Sequence, residues 1–154
     1  IADILTVGFG AADNLSGVDT VAATLDGAAV ADGQAVQLWT LAPGAHTLTV
    51  TATDRAGNSQ TQTVTFTVQV AYGGLEALKH WFADHGYIDN QGVVNSLDQK
   101  LRAARAAHER GQHETEDSIL RAFIAEVQAQ TGKHIFEPAG STLASWAQTM
   151  IDSH

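Results

Sequence analysis

Histidines are the residues of this chain best suited to metal or acid–base chemistry, and six of the seven lie in its second half. His80 and Asp84 are four residues apart, which would place two potential metal ligands on one face of a helix. Two ligands make a weak site, and both residues fall outside the apolar stripe of that helix, so we interpret them as a solvated polar pair. His108 falls on an inward face, where we expect backbone groups to satisfy its ring.

Aromatic side chains could bind sugars, because flat apolar rings cover the faces of pyranoses. Trp39, Trp81 and Tyr87 are the candidates for such a ligand site. Trp39 alternates out of phase with its apolar neighbours and should be exposed, whereas Trp81 should share a patch with Tyr87 after a turn at Gly86. Burial at the junction of two domains is the alternative and the default interpretation of these rings. Trp146 lies on an apolar stripe and is expected in a core.

Two aspartates in loops could bind calcium. Asp13 stands beside Asn14 before one turn, and Asp54 begins another turn that ends at Asn58. In a sandwich these loops should emerge at the same end, and oxygen ligands without sulfur or imidazole suit Ca²⁺. Asp and Asn also supply the local backbone hydrogen bonds that turns need, and we favour that role. We therefore expect no cofactor, with calcium as the alternative.

Motifs typical of catalysis are missing from the sequence. The run from Gly8 to Asp13 begins like a dinucleotide-binding loop, but Asp13 stands where the third glycine belongs and no helix follows. Neither a Gly-x-Ser-x-Gly nor a His-Glu-x-x-His pattern occurs, and no nucleophile stands beside a base in the second half. We expect no catalytic residues in this chain.

The composition excludes several classes of partner and site. The formal net charge is -9, so nucleic acid and anionic membranes are unsuitable partners. No apolar run reaches about 18 residues, so we expect no membrane insertion. The absence of cysteine excludes disulfides and thiolate-bound metals.

The first half has the pattern of a β-sandwich. Apolar residues alternate with threonine over residues 47–52 and again over 63–70, which is the period of a strand with one buried face. The turn residues 54–58 between these runs predict an antiparallel hairpin. Further strands are expected at 4–9, 18–25 and 35–41, separated by Ser-Gly and Asp-Gly turns.

The second half has the pattern of a small antiparallel bundle of about four helices. Apolar residues recur at helical spacing, with expected helices ending near Asp84, Gly111 and Gly132 and a last one beginning at Pro138. The change of periodicity falls at 71–74, where Gly73 and Gly74 offer a flexible junction. We therefore expect a sandwich over residues 1–71 and a helical bundle over 74–154, each with its own core.

The sandwich resembles the bacterial immunoglobulin-like modules of secreted multidomain enzymes over nearly all of residues 1–70. Such modules usually begin with one more strand, often led by proline, so the resemblance implies a sandwich that lacks its first strand. It also implies a spacer or interaction module and brings no catalytic residues. The motifs that carry it are Ser16-Gly17-Val18, Ala23-Thr24-Leu25-Asp26-Gly27, Gly44-Ala45-His46-Thr47-Leu48, and Thr53-Asp54 with Ala56-Gly57-Asn58.

The helical half resembles the FIMAH domain. That family lies at the C-terminus of secreted, often carbohydrate-active, actinobacterial and firmicute enzymes, commonly after an immunoglobulin-like module, which is the order found here. The segments that carry the resemblance are Asn95-Ser96-Leu97 with Lys100-Leu101, residues 103–108, and residues 123–127 with Gln130 and Gly132-Lys133.

These resemblances lead to a functional hypothesis. We expect a non-catalytic, extracellular accessory region whose parent is a glycoside hydrolase or another polysaccharide-acting enzyme, with the catalytic domain upstream. The region would serve as a spacer and as a module that binds carbohydrate or cell wall. A purely structural or protein-binding module, and the tail of a secreted peptidase or other hydrolase, are the alternatives.

Overall fold

The computed structural model describes residues 4–153. Their backbone contacts divide the chain into two compact units, with the division between Val68 and Gln69. The first unit consists of strands and the second of helices. This confirms the fold class expected from the two periodicities. Within residues 4–153, every helix is too short or too polar to span a lipid bilayer.

The first unit is built from two antiparallel sheets. β1 and β4 pair in one sheet, and the other has the strand order β3-β2-β5-β6. The small core of this first unit includes Val7, Ala23, Leu25, Val68 and the polar residue His46. The strands are β1 (Ile4–Thr6), β2 (Val18–Leu25), β3 (Ala28–Val30), β4 (Ala35–Gln37), β5 (Gly44–Asp54) and β6 (Ser59–Val68).

The β5–β6 hairpin is the longest pairing of the sandwich, running from Gly44 opposite Val68 to Thr53 opposite Ser59. Its turn is closed by a 2.9 Å bond from Asp54 N to Asn58 O. Gly57 has φ 90°, a backbone conformation that residues with a side chain rarely adopt. The expected hairpin is therefore confirmed, and its threonines lie in cross-strand pairs.

Three expectations for the strands were wrong. The strand expected at 4–9 ends at Thr6. The expected strand at 35–41 ends at Gln37 and continues as a 3₁₀ turn, Leu38–Thr40, so the alternation used for Trp39 does not apply. Val64 was expected to face inward with Val68 but is 59% exposed. The strands β1 and β4 have three residues each, about 10 Å, whereas β6 has ten.

The second unit is a bundle of four helices in which α2 packs on α3, α3 on α4, and α1 on both α2 and α4. The fully buried residues of its core include Leu75, Phe82, Leu101, Phe123 and Leu143. The expected stripes therefore face one common core. The helices are α1 (Tyr72–Asp84), α2 (Gln91–His108), α3 (His113–Gln130) and α4 (Ala139–Ile151).

The helix ends follow local chemistry. The Asn90 side chain accepts hydrogen bonds from Gly92 N and Val93 N at the start of α2, and Gly111 follows α2 with φ 68°. The two glycines expected to form a flexible junction between the domains belong to a helix instead. The helix α1 begins at the buried Tyr72, so Gly73 and Gly74 lie in its first turn.

Candidate functional site

An aromatic cluster of Trp81, His85 and Tyr87 lies at the end of α1. The ring centroids of Trp81 and His85 are 4.0 Å apart at 23°, and those of Trp81 and Tyr87 are 6.2 Å apart at 16°. Trp81 and Tyr87 are half-buried and His85 is exposed. The structure thus brings two sequence candidates together as near-parallel rings, with part of the indole already covered by His85.

The end of α1 creates this cluster. His85 Nδ1 donates to Trp81 O over 2.8 Å, which fixes the imidazole beside the indole. Gly86, with φ 78°, reverses the chain, and Tyr87 N then donates to Phe82 O over 2.8 Å. Phe136 N donates to Tyr87 O over 2.9 Å, and the Phe136 side chain is 40% exposed. Phe136 was not among the sequence candidates.

Trp39 lies in the other unit, on the 3₁₀ turn, and is half-buried. Its indole N–H donates to the Gln37 side-chain oxygen. Trp146 is 8% exposed and packs in the helical core, and its ring atom Cζ3 lies 3.9 Å from where a Cβ on Gly74 would be. Trp39 therefore offers only part of its ring to a ligand, whereas Trp146 is a core residue.

A polar groove, the α1–α2 groove, runs between the first two helices and has a volume of about 480 Å³. Both acidic and basic side chains line its walls. The groove is open to solvent, so its charges are available to hydroxyl groups or ions. Its lining residues are Gly73, Glu76, Ala77, His80, Asp98, Arg102, Arg105, Ala106 and Glu109.

A buried lysine lies beneath this groove. Lys79 is fully buried, and its ammonium group donates to Asp98, whose side chain is 13% exposed. His80 Nε2 lies 3.4 Å from the same carboxylate oxygen. Loss of hydration lowers the pKa of Lys79, and the bond to Asp98 opposes that shift. His80 therefore faces Asp98 on α2, a partner that sequence spacing could not reveal.

A second cluster, the histidine–glutamate cluster, joins the end of α2 to the start of α3. His108 Nδ1 lies 3.0 Å from Glu116 Oε1, and His113 Nδ1 lies 3.2 Å from Glu116 Oε2. The Glu116 side chain is 1% exposed, whereas the two histidine side chains are 48% and 53% exposed. The ring of His108 therefore faces a buried carboxylate, and the expected inward position of this side chain was wrong, since it is about half exposed.

Glu116 is held by several donors. The Tyr72 hydroxyl donates to Glu116 Oε1 over 2.7 Å. Burial acts to raise the pKa of Glu116, but the hydrogen bonds from Tyr72, His108 and His113 outweigh it and lower this pKa below 4.5. Burial and the adjacent carboxylates of Glu116 and Asp117 raise the pKa of Tyr72 far above 10. The carboxylate is thus ionised and the phenol neutral at physiological pH.

The carboxylates of Asp13 and Asp54 accept hydrogen bonds within their own turns. Asp13 accepts bonds from Leu15 N, Ser16 Oγ and Gly17 N, at 3.2, 2.9 and 2.7 Å. Asp54 accepts bonds from Ala56 N, Asn58 N and Asn58 Nδ2, each at 2.8 Å. The two loops are adjacent, because Arg55 N donates to Gly17 O over 3.1 Å. The hydrogen bonds lower the pKa of both aspartates, which is the behaviour of turn-forming carboxylates.

The histidine–glutamate cluster was not expected from the sequence. Its signal is the spacing His-x₄-His-x₂-Glu over residues 108–116, in which Gly111 provides the turn. His113 and Glu116 are three residues apart on α3 and therefore share a face. His108 joins them only because α2 ends there, and the end of a helix is hard to fix from periodicity alone.

The fold defines a class of protein: an immunoglobulin-like sandwich followed by a four-helix domain. Comparison with known families matches residues 72–152 to the FIMAH domain, so the chain belongs to that family. Residues 2–70 match glucodextranase, domain B, in the module order expected from the sequence. Neither the curated proteins nor the solved structures include a match to the chain.

Proposed function

We propose that this chain is a non-catalytic accessory region of a secreted polysaccharide-acting enzyme and that its FIMAH domain binds the polysaccharide. The observation that carries the proposal is the pairing of the two domain types in this order. The first domain takes its name from glucodextranase, a carbohydrate-active enzyme. In this proposal the reaction belongs to a separate catalytic domain of an extracellular parent protein, and the sandwich acts as a spacer.

The aromatic cluster is the proposed contact with the sugar ring. Trp81 and Tyr87 present aromatic surface from one small region, and their near-parallel rings suit the flat face of a pyranose. The exposed Phe136 adds apolar surface next to the Tyr87 backbone. Side chains that fix an aromatic ring before the ligand arrives reduce the entropy lost on binding, and the His85 contact with Trp81 provides this.

The α1–α2 groove is the proposed contact with sugar hydroxyls. Arg102 and Arg105 supply fixed N–H donors, whereas Glu76 and Glu109 supply acceptors. Arg105 Nη1 lies 3.5 Å from Glu76 Oε2, which holds a donor and an acceptor side by side. Such mixed polarity matches a hydroxyl group, which both donates and accepts.

The test is retention of the full chain by polysaccharides in affinity electrophoresis, with dextran, starch, cellulose and xylan in separate gels. We expect Trp81→Ala and Tyr87→Ala to abolish the retardation, while Tyr87→Phe preserves it because the ring remains. Trp39→Ala tests the sandwich separately and should have no effect. Thermal melts of each variant show that loss of binding is not loss of folding.

Two results would contradict the proposal. Absence of retardation by every polysaccharide, including isolated cell wall, would favour the structural or protein-binding alternative. Retardation that persists in both Trp81→Ala and Tyr87→Ala would place the binding surface elsewhere in the chain.

A further inference from the structure

We infer that His108, His113 and Glu116 form a binding site for a divalent metal ion of the zinc class. One ligand atom from each of these residues lies within 4.8 Å of the other two. The inference is separate from the proposed function, because the aromatic cluster involves none of these residues. A bound ion would tie the end of α2 to the start of α3.

The distances fit shared coordination. Two ligands bound to a tetrahedral metal at about 2.0–2.1 Å lie about 3.3 Å from each other. The Nδ1 atoms of His108 and His113 are 3.0 and 3.2 Å from oxygens of Glu116. Both imidazoles approach the carboxylate through Nδ1, so small side-chain rotations would let one ion bind His108, His113 and Glu116 together.

The ligand types select the metal. Two imidazole nitrogens and one carboxylate oxygen suit zinc and its neighbours, whereas calcium and magnesium prefer sets made of oxygen. The two histidine side chains are about half exposed, so the ion can enter from solvent and keep a water ligand. The site is therefore of the three-ligand type with an open position.

The surroundings favour a cation. Glu116 is buried, and the neighbouring Asp117 has a buried oxygen, Oδ1, without a hydrogen-bond partner. Tyr72 donates to Glu116 Oε1 and thereby orients the carboxylate from behind, as outer-shell donors do at metal sites.

The backbone holds the three residues in place before any ion arrives. His108 is the last residue of α2, and His113 and Glu116 lie in the first turn of α3. The loop between them has four residues and is closed by Gln112 N donating to Ala107 O over 2.9 Å. Little conformational entropy is therefore lost when the ligands close on an ion.

The experiment is titration of the EDTA-treated full chain with ZnCl₂, followed by calorimetry and by the thermal melt. We expect one Zn²⁺ per chain and a higher melting temperature. His108→Ala and His113→Ala should each weaken binding at least about tenfold, and Tyr72→Phe by roughly tenfold or more. Co²⁺ in place of Zn²⁺ should give visible absorption bands that both histidine variants lose.

His134→Ala is the matched control. His134 is 45% exposed, lies in the same domain, and has its Nδ1 2.8 Å from Asp89 Oδ1, but among residues 4–153 no second histidine joins this pair in a possible metal site. This variant should bind Zn²⁺ as the parent does. Absence of saturable binding to the parent would overturn the inference and leave a hydrogen-bonded polar cluster. Binding that is equal in the parent and both cluster variants would also overturn it, as adventitious zinc at other histidines.

Discussion

The ring of His46 is held between two acceptors: its Nδ1 lies 2.6 Å from Asp26 Oδ2, and its Nε2 lies 2.6 Å from Ala42 O. A carboxylate and a carbonyl can only accept, so both ring nitrogens must carry protons and the ring is an imidazolium. The ion pair joins the turn after β2 to the start of β5. It accounts for a polar residue, 7% exposed, in the small core of the sandwich.

This ion pair predicts a sandwich that loses stability at alkaline pH. The bonds to Asp26 and Ala42 raise the pKa of His46 above 6.5, so the stabilisation is complete below pH 6.5 and is lost as the pH rises through the higher folded value. The pKa of Asp26 is lowered mainly by the His46 bond, so stability also falls as the pH drops below 3.8. Urea unfolding of the full chain between about pH 3 and 9 should show both losses of stability, an acid limb and an alkaline limb of the pH–stability curve.

Asp26→Asn separates this explanation from other titrations. Asparagine tolerates the positive φ of 50° at this position but removes the charge that holds the imidazolium. The alkaline limb should move to lower pH, together with the imidazole NMR signal that His46→Gln removes. An alkaline limb of unchanged position in Asp26→Asn would contradict the role given to the pair.

The fold could be predicted from the sequence because periodicity reflects burial within one element. The threonine alternation around Val50 identified a strand, and the helical spacing of Leu97 and Leu101 identified a helix and its buried face. Val64 shows the limit of this reasoning. It is exposed although it alternates in phase with the buried Val68, so its burial depends on what packs against β6 and not on the strand pattern alone.

The candidate sites were harder to predict, because many of their contacts join residues from elements that are distant in sequence. Trp81 and Tyr87 are close in sequence on either side of a turn, so their proximity could be expected. The partners Lys79 with Asp98, and Tyr72 with Glu116, lie on different helices and are separated by 19 and 44 residues. Such pairs follow from packing angles and helix ends, which residue spacing within one helix does not encode.

Gly140 is predicted to be required for the packing of α4. A Cβ at this position would lie 2.5 Å from Thr131 Oγ1 and 2.9 Å from its Cγ2. Gly140→Ala should therefore destabilise the helical domain by about 1–3 kcal/mol, measured by urea unfolding.

Gly73→Ala provides the control for Gly140→Ala. Gly73 is also helical but has nothing within 4 Å of an added Cβ, so the change should be neutral or stabilising by up to about 1 kcal/mol. Thr131→Ala removes both clashing atoms and should restore most of the loss when it is combined with Gly140→Ala. Equal effects of the two glycine substitutions would contradict this account.

The two units are predicted to fold separately when the chain is cut between Val68 and Gln69. The fragment from Gln69 should unfold cooperatively, and Phe123→Ala, which truncates a fully buried ring, should cost it about 3–5 kcal/mol. The sandwich fragment should be less stable, because its core is small.

The position of the cut provides a control for this fragment experiment. A helical fragment that begins at Gly74 lacks Tyr72 and its bond to the buried Glu116, so it should melt at a lower temperature than the fragment that begins at Gln69. A gradual, non-cooperative melt of the longer helical fragment in circular dichroism would mean that the two units depend on each other for folding.

Lys79 and Asp98 are predicted to respond unequally to substitution. Removing one partner of a buried ion pair leaves the other charge without compensation, which typically costs about 3–5 kcal/mol. Asp98→Ala does this to Lys79, which is fully buried, so we expect a loss near that range in urea unfolding. Lys79→Met keeps the length and apolar contacts of the side chain and leaves Asp98 partly exposed to water, so its cost should be far smaller.

Loss of hydration lowers the pKa of Lys79 in the folded state, so without Asp98 the unfolded protein binds more protons than the folded protein around neutral to alkaline pH. The stability of Asp98→Ala should therefore rise as the pH increases toward 10.5, whereas that of Lys79→Met should lack this rise. Equal losses in the two variants, or an Asp98→Ala stability that does not change with pH, would show that the lysine keeps its charge compensated without Asp98.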